Sequence, residues 1–280
     1  MIALHPEDAG YPAALRDLRP APDPLWIDGD PAVLERPCVA VVGTRRMTPY
    51  GERVAREVAA ALARSGAVIV SGLAQGIDCA AHRSALAAGG SSVAVLGEGI
   101  TSFLANARGR RRILAMELRA GGALVSPYAP TVPAQGWMFV KRNALIAALA
   151  GAVVVAEAPI GSGALITAAD AARLGRPLFA VPGPLGARAS EGTNALIASG
   201  AARTCLGPDD VARAVGLTPR SAAPMTDPLL DALASGPLDL DTLARRLGLE
   251  RAVLRPRLVT LVLSGAIVDQ GDGRFARGAG

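Results

Sequence analysis

With 280 residues, 51% of them hydrophobic and a mean hydropathy of +0.34, the chain can hold one large or two unequal domains and is too apolar to be disordered. No apolar run reaches the roughly 18 residues of a membrane span. The opening MIALHPEDAG has neither the basic head nor the apolar stretch of a secretion signal, so a cytosolic protein is expected. The net charge is +5 and almost all of the positive charge is arginine, with Lys141 the single lysine. The excess falls in residues 1–225, which carry 22 basic and 17 acidic residues, whereas 226–280 carry seven of each. A basic main domain favours a nucleic-acid or nucleotide partner. Cys38, Cys79 and Cys205 lack CxxC spacing, and His5 and His82 are the two histidines, so no metal site is expected.

Residues 1–37 are punctuated by prolines from Pro6 to Pro37 around a short apolar patch, Leu25-Trp26-Ile27. They read as an irregular strap. Residues 38–216 alternate buried strands with helices. Val39–Val42 is a strand that ends in Gly43-Thr44-Arg45-Arg46, and a helix follows from Tyr50 to Ser65. Val68–Val70 leads through SGLAQGID (71–78) into a helix from Cys79 to Ala88, with Asp78 placed to cap it. Asp78 and His82, four apart, make two metal ligands at most, a poor site. Val93–Leu96 is the third strand. TSFLANARGRRR (101–112) reads as an irregular basic loop, whose arginines are a solvated charge run or a secondary phosphate contact. A helix from Ile113 to Ala120 and a short strand, Ala123–Val125, follow.

The stretch FVKRNALIAALAGAVVVAEAPIGSGALIT (139–167) organises the rest. AVVVA (152–156) has no polar alternation, as in a strand buried on both faces of a parallel sheet. Upstream, Asn143–Ala150 has helical apolar spacing, with Lys141 and Arg142 at or before its first turn. Downstream, Gly161-Ser162-Gly163 opens a helix, Ala164–Leu174, so free N–H groups and a positive helix end face outward there. In open α/β sheets that edge is where ligands bind. Trp137 and Phe139 beside the cations suit base stacking over held phosphates, or simply core packing. Leu178–Val181 is a further strand, and helices are expected at Thr193–Ser199 and Asp209–Val215.

This alternation indicates an α/β, doubly wound, mostly parallel sheet. Residues 217–226 read as a linker. Helices at Asp227–Ala234, Leu240–Leu247 and Leu249–Ser264, followed by a hairpin over Ala266–Ala276, suggest a small winged-helix domain at 227–280. Its third helix carries Arg251, Arg255 and Arg257, yet a net charge of zero leaves groove binding, partner contact and packing all open. No Walker sequence or catalytic constellation emerges. The glycine turns fail the dinucleotide fingerprint, and Glu157 and Asp170 read as caps or surface charges rather than as acid and base.

Gly43-Thr44-Arg45, SGLAQGID with AAH (71–82), FVKRN (139–143), EAPIGSGALIT (157–167), FAVPG (179–183) and GTNALIASGA (192–201) resemble the DNA-processing protein A family, DprA/Smf. The likeness covers nearly the whole chain. It implies an extended Rossmann-like domain that binds single-stranded DNA without sequence preference, protects incoming DNA in natural transformation, loads the RecA recombinase and works as a homodimer. It implies no enzyme activity, cofactor, metal or membrane. Carried over by motif, the strand would contact Gly43, Thr44, Arg45, Arg46, Gly72, Gln75, Gly76, Phe139, Lys141, Arg142, Asn143, Ser162, Gly163 and Thr167. A dimer face would hold Ala168, Ala172, Leu196 and Ile197. This sequence departs from the pattern in lacking the tyrosine-proline after the third strand and in having Val140 and Ala144 for a proline and an arginine. Arginines 108–112 would stand in for a phosphate ligand missing there. The competing reading is a Rossmann-like nucleotide hydrolase of the phosphoribohydrolase type. Against it, Pro182-Gly183 and Gly192-Thr193 stand too far apart for that enzyme's pattern.

Overall fold

The unbroken β-branched runs become the middle of one nine-stranded sheet in the computed structural model, which describes residues 1–220, 228–263 and 266–278. The chain divides into two units, Met1–Ser221 and Ala222–Gly280. In order, the first unit runs β1 (Ile2–Leu4), β2 (Leu25–Gly29), β3 (Cys38–Gly43), α1 (Pro49–Arg64), β4 (Val68–Ser71), α2 (Ile77–Ala87), β5 (Ser92–Val95), α3 (Ile100–Asn106), α4 (Gly109–Gly121), β6 (Gly122–Ser126), α5 (Gly136–Leu149), β7 (Ala152–Glu157), α6 (Gly163–Arg173), β8 (Leu178–Ala180), α7 (Glu191–Ala198), β9 (Arg203–Thr204) and α8 (Pro208–Ala214).

The strands lie in the order β1-β2-β6-β5-β4-β3-β7-β8-β9. From β3 through β6 on one side and β7 through β9 on the other all pairs are parallel, and β1 and β2 close one edge antiparallel. The sheet is therefore doubly wound about β3 and β7, as the alternation of strand and helix indicated. Both faces are covered, which is why the central strands are apolar at both parities, with the polar residues Ser71, Ser92 and Glu157 confined to strand ends. Val153 and Val155 join the core that includes buried residues of α5 and α6, whereas Val154 and Ala156 join the core with residues of α1, α2 and α8.

Four expectations are corrected. Residues 1–37 are not an irregular strap. Trp26, Ile27 and Asp28 pair with Ser126, Val125 and Leu124, and Leu25 and Ile27 are fully buried. The prolines that looked like breakers flank the strand rather than interrupt it. The basic stretch 101–112 is not a loop but α3 and the start of α4, because Ile100 and Phe103, then Leu114, Ala115 and Leu118, supply an inward stripe beneath the arginines. α5 starts at Gly136, a full two turns before Asn143, since Arg142 occupies a place in its buried stripe and a charge there hides the period. Asp78 does not cap α2. Gly76 holds the N-cap position, and the Asp78 carboxylate turns back into the loop before it.

The second unit comprises α9 (Pro228–Ala232), β10 (Leu238–Asp239), α10 (Leu240–Leu247), α11 (Arg251–Leu263), β11 (Ile267–Asp269) and β12 (Arg274–Arg277). Its strands form a small antiparallel sheet in the order β10-β12-β11. Leu229, Leu233, Leu243, Leu254, Leu258 and Ile267 make its core, a winged-helix arrangement. The Asp239 carboxylate caps α10 by accepting from Thr242 N at 2.8 Å. Arg251 on α11 is paired with Asp241 at 2.8 Å. The part of the expected linker from residue 221 to 226 lies outside the described residues.

Candidate nucleic-acid interface

β3 and β7 are neighbours from which the chain winds in opposite directions. The space beyond their carboxyl ends is the crevice such sheets offer a ligand. An open cleft of about 680 Å³ lies there. It is walled by the loop after β3, the N-terminal half of α5 and the glycine turn that opens α6.

The first wall, Gly43 to Thr48, is held from the neighbouring strand. Pairing of β3 with β7 slips its register between Val42 and Gly43, and Thr44 N then donates to Glu157 O at 2.7 Å. The buried Glu157 carboxylate accepts from Thr48 N at 2.8 Å and Thr48 Oγ1 at 2.6 Å, which joins the loop and the start of α1 to β7. Two charge-assisted bonds at this depth contribute on the order of 3 kcal/mol together. Thr44 is 7% exposed, and its hydroxyl accepts from Arg46 N at 3.1 Å, so it shapes the turn. Arg45 and Arg46 remain exposed and line the cleft, with the Arg45 guanidinium 6.0 Å from the Phe139 ring centroid.

The turn after β4 takes a different role from the one its glycines suggested. Gly72 and Gly76 are buried, and of residues 71–76 only Ala74 lines the cleft, while Gln75 is exposed outside it. The turn is tied down by polar groups from elsewhere. Asp78 accepts from Gly72 N at 3.1 Å and Ala74 N at 3.3 Å, Arg142 donates to Gly72 O at 2.8 Å and to Val95 O, and Arg111 Nε donates to Leu73 O at 3.0 Å. Arg142 is only 4% exposed, so this cation of the FVKRN motif is a brace at the base of the cleft, not the surface charge that its spacing implied. Burial lowers its guanidinium to about 10, and it stays charged at neutral pH. Burial raises the Asp78 carboxyl, with Arg142 pulling the other way.

On α5, Gly136, Phe139, Val140 and Asn143 face the cleft, four positions on one helical stripe. Lys141 lies on the adjoining face, exposed, its ammonium 4.8 Å from the Trp137 ring centroid. Asn143 Nδ2 donates to Gly163 O at 3.2 Å and so joins α5 to the glycine turn. In that turn Gly161 and Gly163 are exposed, and Ser162 caps α6 by accepting from Ala164 N at 3.4 Å. Thr167 lines the cleft from one turn further in, 2% exposed.

Of the expected contact residues, Gly43, Thr44, Arg45, Arg46, Phe139, Arg142, Asn143, Ser162, Gly163 and Thr167 come together around the cleft. Gly72, Gln75, Gly76 and Lys141 do not line it. Sequence reasoning missed the clamp made by Glu157 and the exposed apolar residues Val140, Ile160 and Ile166 on the cleft wall. In the expected dimer face Ala168 is fully buried in the core and is corrected. Ala172 is exposed, and Leu196 and Ile197 are half-buried against the core. Among the described residues no group of three or more potential ligands could hold a metal ion, and no helix is long and apolar enough to cross a membrane.

Comparison with known proteins gives the same outline. Residues 3–216 match the family model of DNA recombination-mediator protein A, and residues 218–273 match that of the DprA winged helix domain. Protein Smf of Escherichia coli is 42% identical over 191 residues, which are 68% of this chain and 50% of that one. The chain spans about half the length of curated relatives such as this. The solved structure of DNA processing protein A from Streptococcus pneumoniae is 36% identical and superposes with a TM-score of 0.70 over 76% of this chain and 73% of that one. The Helicobacter pylori structure, described for its single-stranded DNA binding mode, is 30% identical, with a TM-score of 0.65 over 72% and 91%. With both units matched and a relative this similar, the chain belongs to the DNA-processing protein A (DprA/Smf) family.

Proposed function

We propose that this chain binds single-stranded DNA without sequence preference along the cleft beyond β3 and β7, as a DNA-processing protein without catalytic turnover. The observation that carries the reading is the convergence of three segments far apart in sequence. Arg45 and Arg46, the outward turn at Gly161 to Gly163, and Phe139 with Asn143 all face one open cleft. Fixed cations and free N–H groups take phosphates, while the aromatic ring offers a stacking face to any base. The structure of the Helicobacter pylori relative concerns a single-stranded DNA binding mode, which supports the same substrate class here. Protection of incoming DNA in natural transformation, loading of RecA, and a homodimer through α6 and α7 around Ala172, Leu196 and Ile197 are the finer roles we attach to it.

A nucleotide hydrolase is the less favoured reading. Asp78 is the one acid among the residues lining the cleft, and its carboxylate is engaged by Gly72 and Ala74. Glu157 is engaged by Thr48. Neither is free to act as a general base. Salt-titrated binding to an oligothymidine tests the proposal. Arg45→Ala with Arg46→Ala, the two exposed cations that line the cleft, should weaken binding and flatten the plot of log affinity against log salt by roughly 0.7 for each phosphate no longer neutralised. An unchanged slope removes both residues from the site, and turnover of a nucleotide by the wild type would favour the hydrolase.

A further inference from the structure

The exposed cations of the cleft, Arg45 and Arg46, come from one loop, with Arg142 buried at its base, whereas α5, the glycine turn and α6 present apolar side chains to the same space. Val140 is 49% exposed, Ile160 64% and Ile166 39%, and all three line the cleft. Singly exposed aliphatics are ordinary on a protein surface, and Leu185, Leu206 and Ile113 are of that kind, lying outside the cleft. Three β-branched residues, from α5, the turn after β7 and α6, around one cationic cleft are a different matter, because exposed apolar area beside a polar site marks a binding surface.

The chemistry of the two sides indicates what each receives. Arg45, Arg46 and the turn N–H groups suit phosphate oxygens. Aliphatic side chains give a phosphate nothing and cost it water, but they pack against the faces of bases. A single strand can turn its phosphates to one side and its bases to the other. A duplex cannot, since its base faces are stacked inside and only its charged exterior would meet the aliphatic side. Phe139 stands beside this surface with Arg45 near its ring, so stacking and phosphate binding adjoin.

We infer that Val140, Ile160 and Ile166 form an apolar lip that receives unpaired bases and so makes the cleft select single strands over duplex. The inference rests on the reading that this cleft holds DNA. The selection follows from where aliphatic and cationic groups are placed and requires no base-specific hydrogen bond.

The test compares three labelled ligands of equal length: an oligothymidine, a duplex and an abasic deoxyribose-phosphate strand. The full-length wild type should bind oligothymidine more tightly than the abasic strand. Val140→Ser with Ile160→Ser should weaken oligothymidine binding roughly tenfold, within the range that one stacked base contributes. Its affinity for the duplex and the abasic strand, and its salt slope, should be unchanged. Ile166→Ser, at the least exposed of the three positions, should have a smaller effect in the same direction. An unchanged ratio of single- to double-strand affinity, or an equal loss on all three ligands, overturns the lip while leaving DNA binding standing. So does a change in oligomeric state at constant ratio, which would make the patch a protein interface. A wild type that binds no oligothymidine defeats the parent reading and the lip together.

Discussion

The turn after β4, Gly72 to Gly76, and the turn after β7, Ala158 to Gly163, look alike in sequence: each follows a buried strand, carries two glycines and opens a helix. The fold uses them in opposite ways. In the first, the Gly72 and Ala74 N–H groups go to Asp78, the Gly72 carbonyl to Arg142 and the Leu73 carbonyl to Arg111, and Leu73 is fully buried at φ 53°. In the second, Gly161 and Gly163 are exposed and line the cleft, and the distant side chain that reaches the turn, Asn143, takes the Gly163 carbonyl rather than an N–H. Within the open turn Ser162 N is spent on Pro159 O at 3.1 Å, but the Gly161 and Gly163 N–H groups are left without a partner among the described residues. A glycine turn at the carboxyl end of a strand is a binding site only where such donors remain.

The largest effect should come from removing the brace of the closed turn. Arg142→Ala leaves the Gly72 and Val95 carbonyls without a donor and Asp78 without its nearby cation. It should destabilise the first unit by about 3–5 kcal/mol in urea unfolding followed by circular dichroism. Gly72→Ala should follow at about 2–4 kcal/mol, because a Cβ there would meet the Arg142 guanidinium, which is itself held in place. If both variants unfold like the wild type, the closed turn is not held as described and the contrast between the turns collapses.

How legible this was in the sequence depends on how far apart the partners lie. β3, β7 and the helices after them could be read, since unbroken Val runs and i, i+3, i+4 stripes are local signals. The outward turn at 161–163 could be read for the same reason. Arg142 could not be: what buries it is Gly72, 70 residues earlier, and beside Lys141 it looks like half of a surface pair. The same charge hid the start of α5. The pairing of β2 with β6 was equally out of reach, because an antiparallel edge strand between prolines is defined by its partner rather than by its own pattern.

His82, on the helix that the closed turn opens, should link that turn to pH. Its Nδ1–H donates to Ser92 Oγ at 2.7 Å, since the Ser92 hydroxyl itself donates to Ile69 O at 2.6 Å. Nε2 is buried with no hydrogen-bond partner among the described residues. Burial, then Arg142 and Arg83, lower its pKa to about 3 from the usual 6.5. The folded state therefore binds fewer protons than the unfolded state between those values. Stability from this group is complete above about pH 6.5 and falls as pH drops towards 3, by up to about 1.4 kcal/mol per pH unit. Asp78, raised by burial, opposes this where it titrates, so the measurement is a difference. His82→Asn keeps a donor for Ser92 and should flatten the acid limb of a plot of urea midpoint against pH relative to wild type. An identical limb would place the acid sensitivity elsewhere.

The smallest stability effects belong to the open turn, and there binding separates from folding. Gly161 sits at φ 78° with free space around it, so Gly161→Ala costs only the strain of a left-handed residue, about 1 kcal/mol. Gly163 begins α6 at an ordinary φ and a Cβ there meets nothing, so Gly163→Ala should leave stability within about 0.5 kcal/mol of wild type or raise it slightly. The added methyl would nevertheless stand on the cleft wall beside the N–H groups that a phosphate must approach closely. Oligothymidine binding by Gly163→Ala should weaken several-fold while its thermal midpoint holds. Full affinity at full stability would move the phosphate site away from this turn and leave Arg45 and Arg46 to carry it.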